Sequence, residues 1–347
     1  MSEVKLVVDA MGGDNAPDVV LEGVDKALAQ DQGISVILTG PAEVIGPFAA
    51  SHERCEAHPT TEVIAMGEHP ANAVRHKKDS SIVVGCRLVK EGEAAGFFSA
   101  GSTGACMAAA TLVIGRIRGV KRPAIVSVIP SPVSQTVFCD MGANADCKPE
   151  YLVQFAHMGR VYAQMELGIP EPTVGLLNIG EEETKGSQFA QECHAALKES
   201  VPNFIGNAEG GNLALGGFDV IVTDGFTGNV ALKTYEGVAK ALMKGIKDSL
   251  MQSFSGKLGG ALIRGSLHDL KDRVSAEKFG GAQLLGVKGV CLIGHGNSNA
   301  QAICSGVLAT ARAIRGDMPG RLAKALAAEK ERTAAADEAA STEEAHA

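Results

Sequence analysis

Five short apolar runs in this 347-residue chain are each followed by a polar loop that contains glycine, and these loops carry most of the side chains that could do chemistry. Glycines let a backbone approach a ligand closely, and the N–H groups that begin a following helix attract anions. In open α/β sheets such loops lie at the carboxyl edge of parallel strands, where ligands bind. We therefore predict that the five loops converge on one cleft. The runs with their loops are residues 7–17, 96–105, 174–187, 219–230 and 290–299.

The loop SAGSTGA at residues 99–105 has the composition of an anion-binding turn. Its hydroxyl groups and the first N–H groups of the following helix could donate to an anion, although a capped turn without a ligand would have the same composition. Asp9 and Asp14 of the first loop would repel phosphate, so we expect them to orient a backbone turn or a lysine. The candidate phosphate-binding residues of the two loops are Gly12, Gly13, Ser99, Gly101, Ser102, Thr103 and Gly104.

The other three loops carry side chains that could act on a substrate. Lys185 could bind phosphate oxygens or polarise a carbonyl, unless the three glutamates before it make it an ordinary surface charge. His295 lies between two glycines after an apolar run, which suits a proton donor above a cleft. In the fourth loop Asp224, Thr227 and Asn229 precede a helix, and a residue that does not cap this helix is free for a ligand.

The composition disfavours several other classes of function. The formal net charge of −8, with no Trp and three Tyr, argues against nucleic-acid binding. Strict nucleotide-binding glycine motifs do not occur, so the sequence predicts no cofactor. His52, Cys55 and His58 are spaced three apart without a clear fourth ligand, so we predict no metal site. Eight cysteines without a C-x-x-C pair, no signal peptide and no apolar run near about 18 residues predict reduced thiols in the cytoplasm.

The alternation of strand and helix patterns predicts an α/β fold with a large core. A hairpin formed by residues 124–130 and 136–142 favours an open mixed sheet over a TIM barrel. We expect one catalytic domain over residues 1–325, a helical segment at about 230–280 and a disordered Ala/Glu-rich tail over 326–347. A further short strand is predicted at 61–66, and no sequence repeat at a fixed period is evident.

At these loops the chain resembles the bacterial phosphate acyltransferases of phospholipid synthesis, which take the acyl group from acyl carrier protein. The resemblance covers about residues 4–322 and depends on several long motifs in the same order, with Ser102 where relatives commonly have Asn. These motifs are VVDAMGGD, SAGSTGA, DMGAN, LLNIGEEETKG, DGFTGNVALKTYEGV and GHGNSN.

The resemblance implies a three-layer α/β/α sandwich similar to isocitrate dehydrogenases and phosphotransacetylases, with an open, mostly parallel mixed sheet and a homodimeric assembly. It also implies the transfer of a long acyl chain from acyl carrier protein to inorganic phosphate. The acyl phosphate would pass to a glycerol-3-phosphate acyltransferase in the membrane, so a cytoplasmic protein with transient contact to the membrane surface is expected. Acyl transfer to coenzyme A and a non-catalytic carrier-docking module remain as alternatives.

For this reaction we predict that phosphate binds to the 99–104 loop together with Lys185. His295 and Asn229 would donate to the oxyanion or to the leaving thiolate. A Ser-His-Asp triad is not required, because phosphate is itself an anionic nucleophile. All of this requires the five loops to meet.

The helix predicted at 230–251 has a basic stripe, and an apolar segment at about 254–270 follows it. The stripe could face an acidic carrier or an anionic membrane, or it could be an ordinary solvated helix face. The apolar segment could rest on lipid or form a dimer interface. The candidate contact residues are Lys240, Lys244, Lys247, Leu258, Ile263 and Arg264.

Overall fold

A single eleven-stranded mixed sheet runs through the computed structural model, which describes residues 3–273 and 279–344. The strand order is β3-β2-β1-β4-β11-β10-β5-β6-β9-β7-β8. The strands are β1 (Val4–Asp9), β2 (Ile34–Gly40), β3 (Cys55–Pro59), β4 (Gly96–Ser99), β5 (Ala124–Pro130), β6 (Gln135–Cys139), β7 (Val174–Leu177), β8 (Phe204–Ala208), β9 (Val220–Val222), β10 (Ala282–Leu285) and β11 (Val290–Ile293).

Helices cover both faces of this sheet. The helices are α1 (Asp18–Gln30), α2 (Ala42–Ala50), α3 (Pro70–His76), α4 (Ser81–Glu91), α5 (Thr103–Ala109), α6 (Pro149–Glu166), α7 (Gln188–Ser200), α8 (Asn212–Leu215), α9 (Gly225–Met251), α10 (Phe254–Leu262), α11 (Arg264–Arg273), α12 (Ala300–Arg315) and α13 (Met318–Glu344). A π-helical turn, Ala110–Ile114, continues α5.

The core consists of two apolar layers, one on each face of the sheet. On one face, alternate strand residues such as Val8 and Val126 pack against α1, α2, α12, α6, α7 and α13. On the other face, residues such as Val7 and Phe138 pack against α3, α4, α5, α8 and α9. The alternation follows from the two-residue period of strands. The expected three-layer α/β/α sandwich is therefore confirmed.

The strands do not all run in one direction. β2, β1, β4 and β11 are parallel to one another, and so are β6, β9, β7 and β8. Between the two groups lie three antiparallel pairings, of β11 with β10, of β10 with β5 and of β5 with β6. Because three reversals separate them, the two parallel groups point in opposite directions. Their carboxyl ends therefore lie at opposite edges of the sheet.

The two halves of the sheet repeat one arrangement. Read from the outside, the order and directions of β2-β1-β4-β11-β10 recur in β8-β7-β9-β6-β5. The strands β4 and β9 occupy equivalent places, and each is followed by a Gly-x-Thr-Gly sequence, at 101–104 and at 225–228, that leads into a helix. The shared sequence is only four residues long, so the repeat is not recognisable from the sequence alone.

One local prediction needs revision. Residues 61–66 do not form a strand, since they contribute only an isolated bridge of Glu62 to Ser80, and the edge strand is Cys55–Pro59 instead. Helix α13 continues to Glu344, and the disorder of the tail stays a prediction. Part of the predicted 230–280 helical segment, residues 274–278, lies outside the described residues. The hairpin of β5 and β6 is confirmed.

Candidate active site

The predicted functional loops form two separate groups. The loops after β1, β4 and β11 lie together at one edge, and we call them the glycine cradle (residues 10–13, 100–104 and 294–297). The loops after β6, β7 and β9 lie at the opposite edge, and we call them the lysine cleft (residues 140–144, 178–187 and 223–229). The prediction that the five loops converge on one cleft is therefore wrong. The loops lie apart because the strand direction reverses between β11 and β6.

This arrangement places the predicted partners in the reaction at opposite edges of the sheet. Gly12, Gly13, the 99–104 loop and His295 belong to the glycine cradle. Lys185, Asp224, Thr227 and Asn229 belong to the lysine cleft. Within one protomer, Lys185 therefore cannot share a phosphate with the 99–104 loop, and His295 cannot share an oxyanion with Asn229.

A buried carboxylate holds the glycine cradle together. One oxygen of Asp9 accepts a hydrogen bond from the Ser99 hydroxyl at 2.7 Å, and the other accepts from the Met11 N–H at 3.0 Å. The Ser99 hydroxyl in turn accepts from the Gly101 N–H at 3.0 Å. Burial raises the pKa of Asp9, and the hydrogen bond from Ser99 acts against that rise. Asp9 thus orients the backbone, the kind of role expected for it.

The packing of the cradle accounts for its glycines. A Cβ on Gly12 would lie 2.7 Å from the Gly101 nitrogen, so the β1 and β4 loops can touch only because this residue has no side chain. Ser102 caps α5 by accepting from the Ala105 N–H at 3.4 Å. The small cavity lined by Gly12, Gly13 and Ala100 is too narrow to hold a water molecule. Thr103 and His295 reach its exposed surface.

The lysine cleft also has a buried carboxylate at the end of a strand. Asp140 is fully buried after β6, and its Oδ1 accepts from the N–H groups of Ile125, Gly142 and Ala143 at 3.0 to 3.2 Å. Its Oδ2 accepts from the N–H and the side-chain amide of Asn144, both at 2.8 Å. Burial raises the pKa of Asp140, although these donors stabilise the charged form. The five hydrogen bonds fix the DMGAN loop as a rigid wall.

The amino terminus of α9 packs directly against this wall. The Gly225 N–H donates to the Asn144 carbonyl at 2.7 Å, and a Cβ on Gly228 would lie 1.9 Å from the Asp140 carbonyl oxygen. Asp224 caps the helix by accepting from the Thr227 N–H at 2.9 Å and the Thr227 hydroxyl at 2.7 Å. Asp224 and Thr227 are therefore a helix cap, one of the alternatives for this loop.

Asn229 is the polar side chain that this arrangement leaves free. It is exposed, it lies against Gly142, and its amide makes no hydrogen bond to the described residues. A Cβ on Gly142 would lie 3.6 Å from its side chain, and Gly142 has a φ of 137° that favours glycine. The wall thus passes close to Asn229 without engaging its hydrogen-bonding groups.

The β7 loop brings Lys185 to the other side of the cleft. The side chain of Asn178 fixes this loop by accepting from the Ile179 N–H at 2.8 Å and donating to the Lys185 carbonyl at 3.2 Å. The Lys185 ammonium is 4.0 Å from a Glu182 oxygen and half exposed, so this ion pair is weak and the ammonium can reach an anion. Gly186, at a φ of 89°, completes the turn before α7.

A cavity of about 430 Å³ lies between the β7 loop and α9. Asn178, Ser187, Asp224 and Thr227 line its polar side, and apolar side chains including Leu177 and Phe189 line the rest. Volumes of about 300–1,000 Å³ are typical of small-molecule sites. A larger cavity of about 660 Å³ lies near the β5–β6 turn, but its carboxylate, that of Asp219, is already bonded to Thr173. We therefore take the lysine cleft as the candidate active site.

Comparison with known proteins identifies the family. Residues 4–321 match the family model described as "Fatty acid synthesis protein". A protein named phosphate acyltransferase from Desulfitobacterium hafniense (strain Y51) is 49% identical over 308 residues, which are 88% of this chain and 92% of the relative. One of the same name from Clostridium botulinum (strain Loch Maree / Type A3) is 46% identical over 301 residues, 86% of this chain and 90% of the relative. This chain belongs to the phosphate acyltransferase family.

Solved structures agree with the fold of this acyltransferase. A phosphotransacetylase from Streptococcus pyogenes has a TM-score of 0.60 at 16% identity, covering 90% of this chain and 94% of the other. A branched-chain phosphotransacylase from Enterococcus faecalis V583 has a TM-score of 0.58 at 13% identity, covering 89% and 99%. At such low identity the likeness shows the fold alone. The relatives, in contrast, support an enzyme that transfers acyl groups and uses phosphate.

The sequence alone did not predict the part that Asp140 and Asn144 play in the candidate site. Their motif, DMGAN, was recognised only through the family resemblance. A carboxylate followed by Gly and Asn at the end of an apolar strand is a usable signal, because it is typical of a side chain that accepts from the backbone of its own turn.

The contact of Gly228 with Asp140 yields a test with a matched control. We expect Gly228→Ala to lower the free energy of unfolding by about 1–3 kcal/mol and to reduce acyltransferase activity, because the added methyl group forces α9 away from the wall. Gly237→Ala, on the same helix with open space around it, should instead stabilise by roughly 0.5–1 kcal/mol. Urea unfolding measures both effects. Equal effects of the two substitutions would contradict the contact.

Proposed function

We propose that this acyltransferase moves a long acyl chain from acyl carrier protein to inorganic phosphate, and that the acyl phosphate feeds phosphatidic acid synthesis. The observation that carries the proposal is a cavity of small-molecule size in the lysine cleft, lined by Gly186 and Thr227. The half-exposed Lys185 ammonium lies next to Gly186 in the chain, and the unpartnered Asn229 amide lies two residues after Thr227. The family name and the relatives' names support phosphate as the acceptor.

For direct attack, the enzyme must position phosphate and does not need to activate it as a nucleophile. Phosphate is already a nucleophile, so Lys185 would hold its oxygens near the thioester carbon and Asn229 would donate to the developing oxyanion. Cys147 lies beside the Asp140 wall, where its Sγ donates to the Asn144 carbonyl at 3.5 Å. Burial raises the pKa of Cys147 to about 11, so at neutral pH it is a protonated thiol and a poor acyl acceptor. Direct transfer without an acyl-enzyme is therefore the simpler route.

An assay with two readouts tests this reaction. The protein is incubated with acyl-carrier protein and phosphate, freed carrier thiol is measured, and acyl phosphate is trapped with hydroxylamine. Lys185→Ala should lower the phosphate-dependent rate by about 100-fold or more, because one preorganised charge is lost. Lys198→Ala, on α7 and paired with Glu183, is the control and should remain active. Release of thiol that requires coenzyme A would favour the phosphotransacetylase-like alternative, and neither signal would indicate a docking module.

We also propose that the active enzyme is a homodimer in which the glycine cradle of one protomer faces the lysine cleft of the other. The β7 loop carries three glutamates and one lysine, Lys185. Because the glutamates repel an anion, its binding requires hydrogen-bond donors in addition to Lys185. Those donors, the 99–104 loop and His295, lie at the opposite edge of the same chain. A two-fold axis pairs the two edges reciprocally and forms two equivalent sites.

Exposed apolar side chains at the mouth of the cleft support this pairing. Ile179 is 80% exposed and Phe226 66% exposed, and Val230 follows one turn of helix later. Large apolar side chains grouped around a polar site are typical of a surface that a partner covers. With a partner present, His295 of the partner subunit would supply the second donor for the oxyanion or the leaving thiolate.

Mixed dimers distinguish sites shared between protomers from sites within one protomer. We expect Lys185→Ala and His295→Ala each to lower activity by about 100-fold in homodimers. When the two variants are mixed and allowed to exchange subunits, half of the molecules contain one intact site, so activity should return to about a quarter of the wild type. No recovery on mixing, or a fully active His295→Ala, would overturn the shared site.

The helical hairpin of α9 and α10 is the surface that we propose meets the carrier and the membrane. Among the described residues no helix is long and apolar enough to cross a membrane. The described part of α10 has no buried residue, and Phe254, Leu258 and Leu262 are exposed beside Lys257 and Arg264. Apolar side chains flanked by basic ones suit the interfacial region of an anionic bilayer. The exposed lysines of α9 would face the same acidic partners. They are Lys240, Lys244 and Lys247.

Liposome co-sedimentation tests this surface. Leu258→Glu and Ile263→Glu should reduce pelleting with vesicles that contain anionic lipid, since each places a carboxylate where acyl chains would lie. Ile205→Glu, at an exposed position of β8, is the control and should pellet like the wild type. Unchanged pelleting of both variants, with the dimer intact by gel filtration, would contradict membrane contact.

A further inference from the structure

A groove of about 540 Å³ runs along α9 beside the lysine cleft, and the chemistry proposed above does not use it. One wall is a stripe of α9 side chains that recur every three or four residues and therefore share one face of the helix. The opposite wall is formed by α8 and by the turn between β5 and β6. The stripe includes Ala231, Tyr235, Val238, Ala239, Leu242 and Met243, and the opposite wall includes Pro132, Leu213 and Ala214.

The lining of the groove is almost wholly apolar. The Tyr235 hydroxyl donates to the Pro130 carbonyl at 2.9 Å, so its polar end is already occupied. Beneath the groove lies the apolar cluster that includes Phe138 and Ile221. Yet Val238 is 62% exposed and Leu242 63% exposed. A concave apolar surface left this open suits an elongated hydrocarbon better than a polar ligand.

The groove and the cavity of the lysine cleft are adjacent. Gly210 and Ala231 line both, so one end of the groove lies beside the place where the thioester would react. From Ala231 to Met243 the stripe extends over twelve residues, or about 18 Å at about 1.5 Å per helical residue. This length matches an extended long-chain acyl group.

We infer that this groove binds the hydrocarbon chain of the acyl substrate, with the carbonyl carbon at the lysine cleft and the methyl end near Met243. The inference rests on the proposed function and goes further, because it assigns the acyl-chain site and the residues that set the accepted chain length. Each buried methylene should improve affinity by up to about fourfold until the chain reaches the end of the groove.

Replacement of either of two alanines on α9 with tryptophan tests whether the groove sets the accepted chain length. Ala239 lies in the groove and Ala241 lies on another face of the helix, and both are exposed enough to accept a large side chain. Ala239→Trp should lower kcat/KM for a hexadecanoyl thioester by about tenfold or more, because the indole fills the groove, and should change the octanoyl rate by less than about twofold. Ala241→Trp should change neither. Equal behaviour of the two variants would overturn the inference.

A binding experiment keeps this test separate from the proposed function. The chain has no Trp, so Leu242→Trp places a single fluorophore in the groove and Ala241→Trp places one outside it. Brominated hexadecanoic acid should quench the first and leave the second nearly unchanged. Quenching without turnover of any thioester would support the groove and refute the proposed reaction. Turnover without selective quenching would support the reaction and refute the groove.

Discussion

The reversal of strand direction in the middle of the sheet determines how this molecule can bind a substrate. Parallel strands place their carboxyl-end loops at one edge, and the three antiparallel pairings among β11, β10, β5 and β6 send the second half of the sheet the other way. Each edge therefore has its own group of glycine loops. A chain with one edge for all its loops could build a site alone, whereas this chain divides its donors between two edges.

A buried aspartate organises each edge in the same way but with a different result. Asp9 and Asp140 both lie at the end of a strand and are both buried. The carboxylate oxygens of both accept hydrogen bonds from nearby N–H or hydroxyl groups. Desolvation makes such a carboxylate costly unless its acceptors are used, so the surrounding turn is fixed in one conformation. At the first edge the β1 and β4 loops touch at Gly12 and Gly101. At the second edge the 140–144 loop packs against the start of α9, and a cavity lies between α9 and the β7 loop.

The sequence was a good guide to elements and a poor guide to their directions. A strand followed by a glycine loop and a helix has the same local pattern whichever way the strand runs, so the loops at 99–104 and 223–229 could be recognised but not assigned to opposite edges. The edge strand β3 was not predicted, because Glu56 and His58 are exposed to solvent and the strand contains no apolar run. The hairpin was predictable, because Ser131 and Pro132 interrupt two apolar strands. The hydrogen bond from the Ile125 N–H to Asp140 depends on the approach of β5, and the Gly228 contact depends on the approach of α9, and no local pattern contains either.

The division of donors between two edges also bears on how the acyl chain and the phosphate approach each other. The groove along α9 borders the lysine cleft on one side, at Gly210 and Ala231, while the glycine cradle of a second protomer would close the cleft from another. An apolar chain and a small anion need opposite surroundings, and a site assembled from two surfaces can provide both without burying an unpaired charge in one core. The carbonyl carbon is the point at which the two surroundings meet. A bound acyl chain would then hold the thioester beside Lys185 and Asn229 before phosphate arrives.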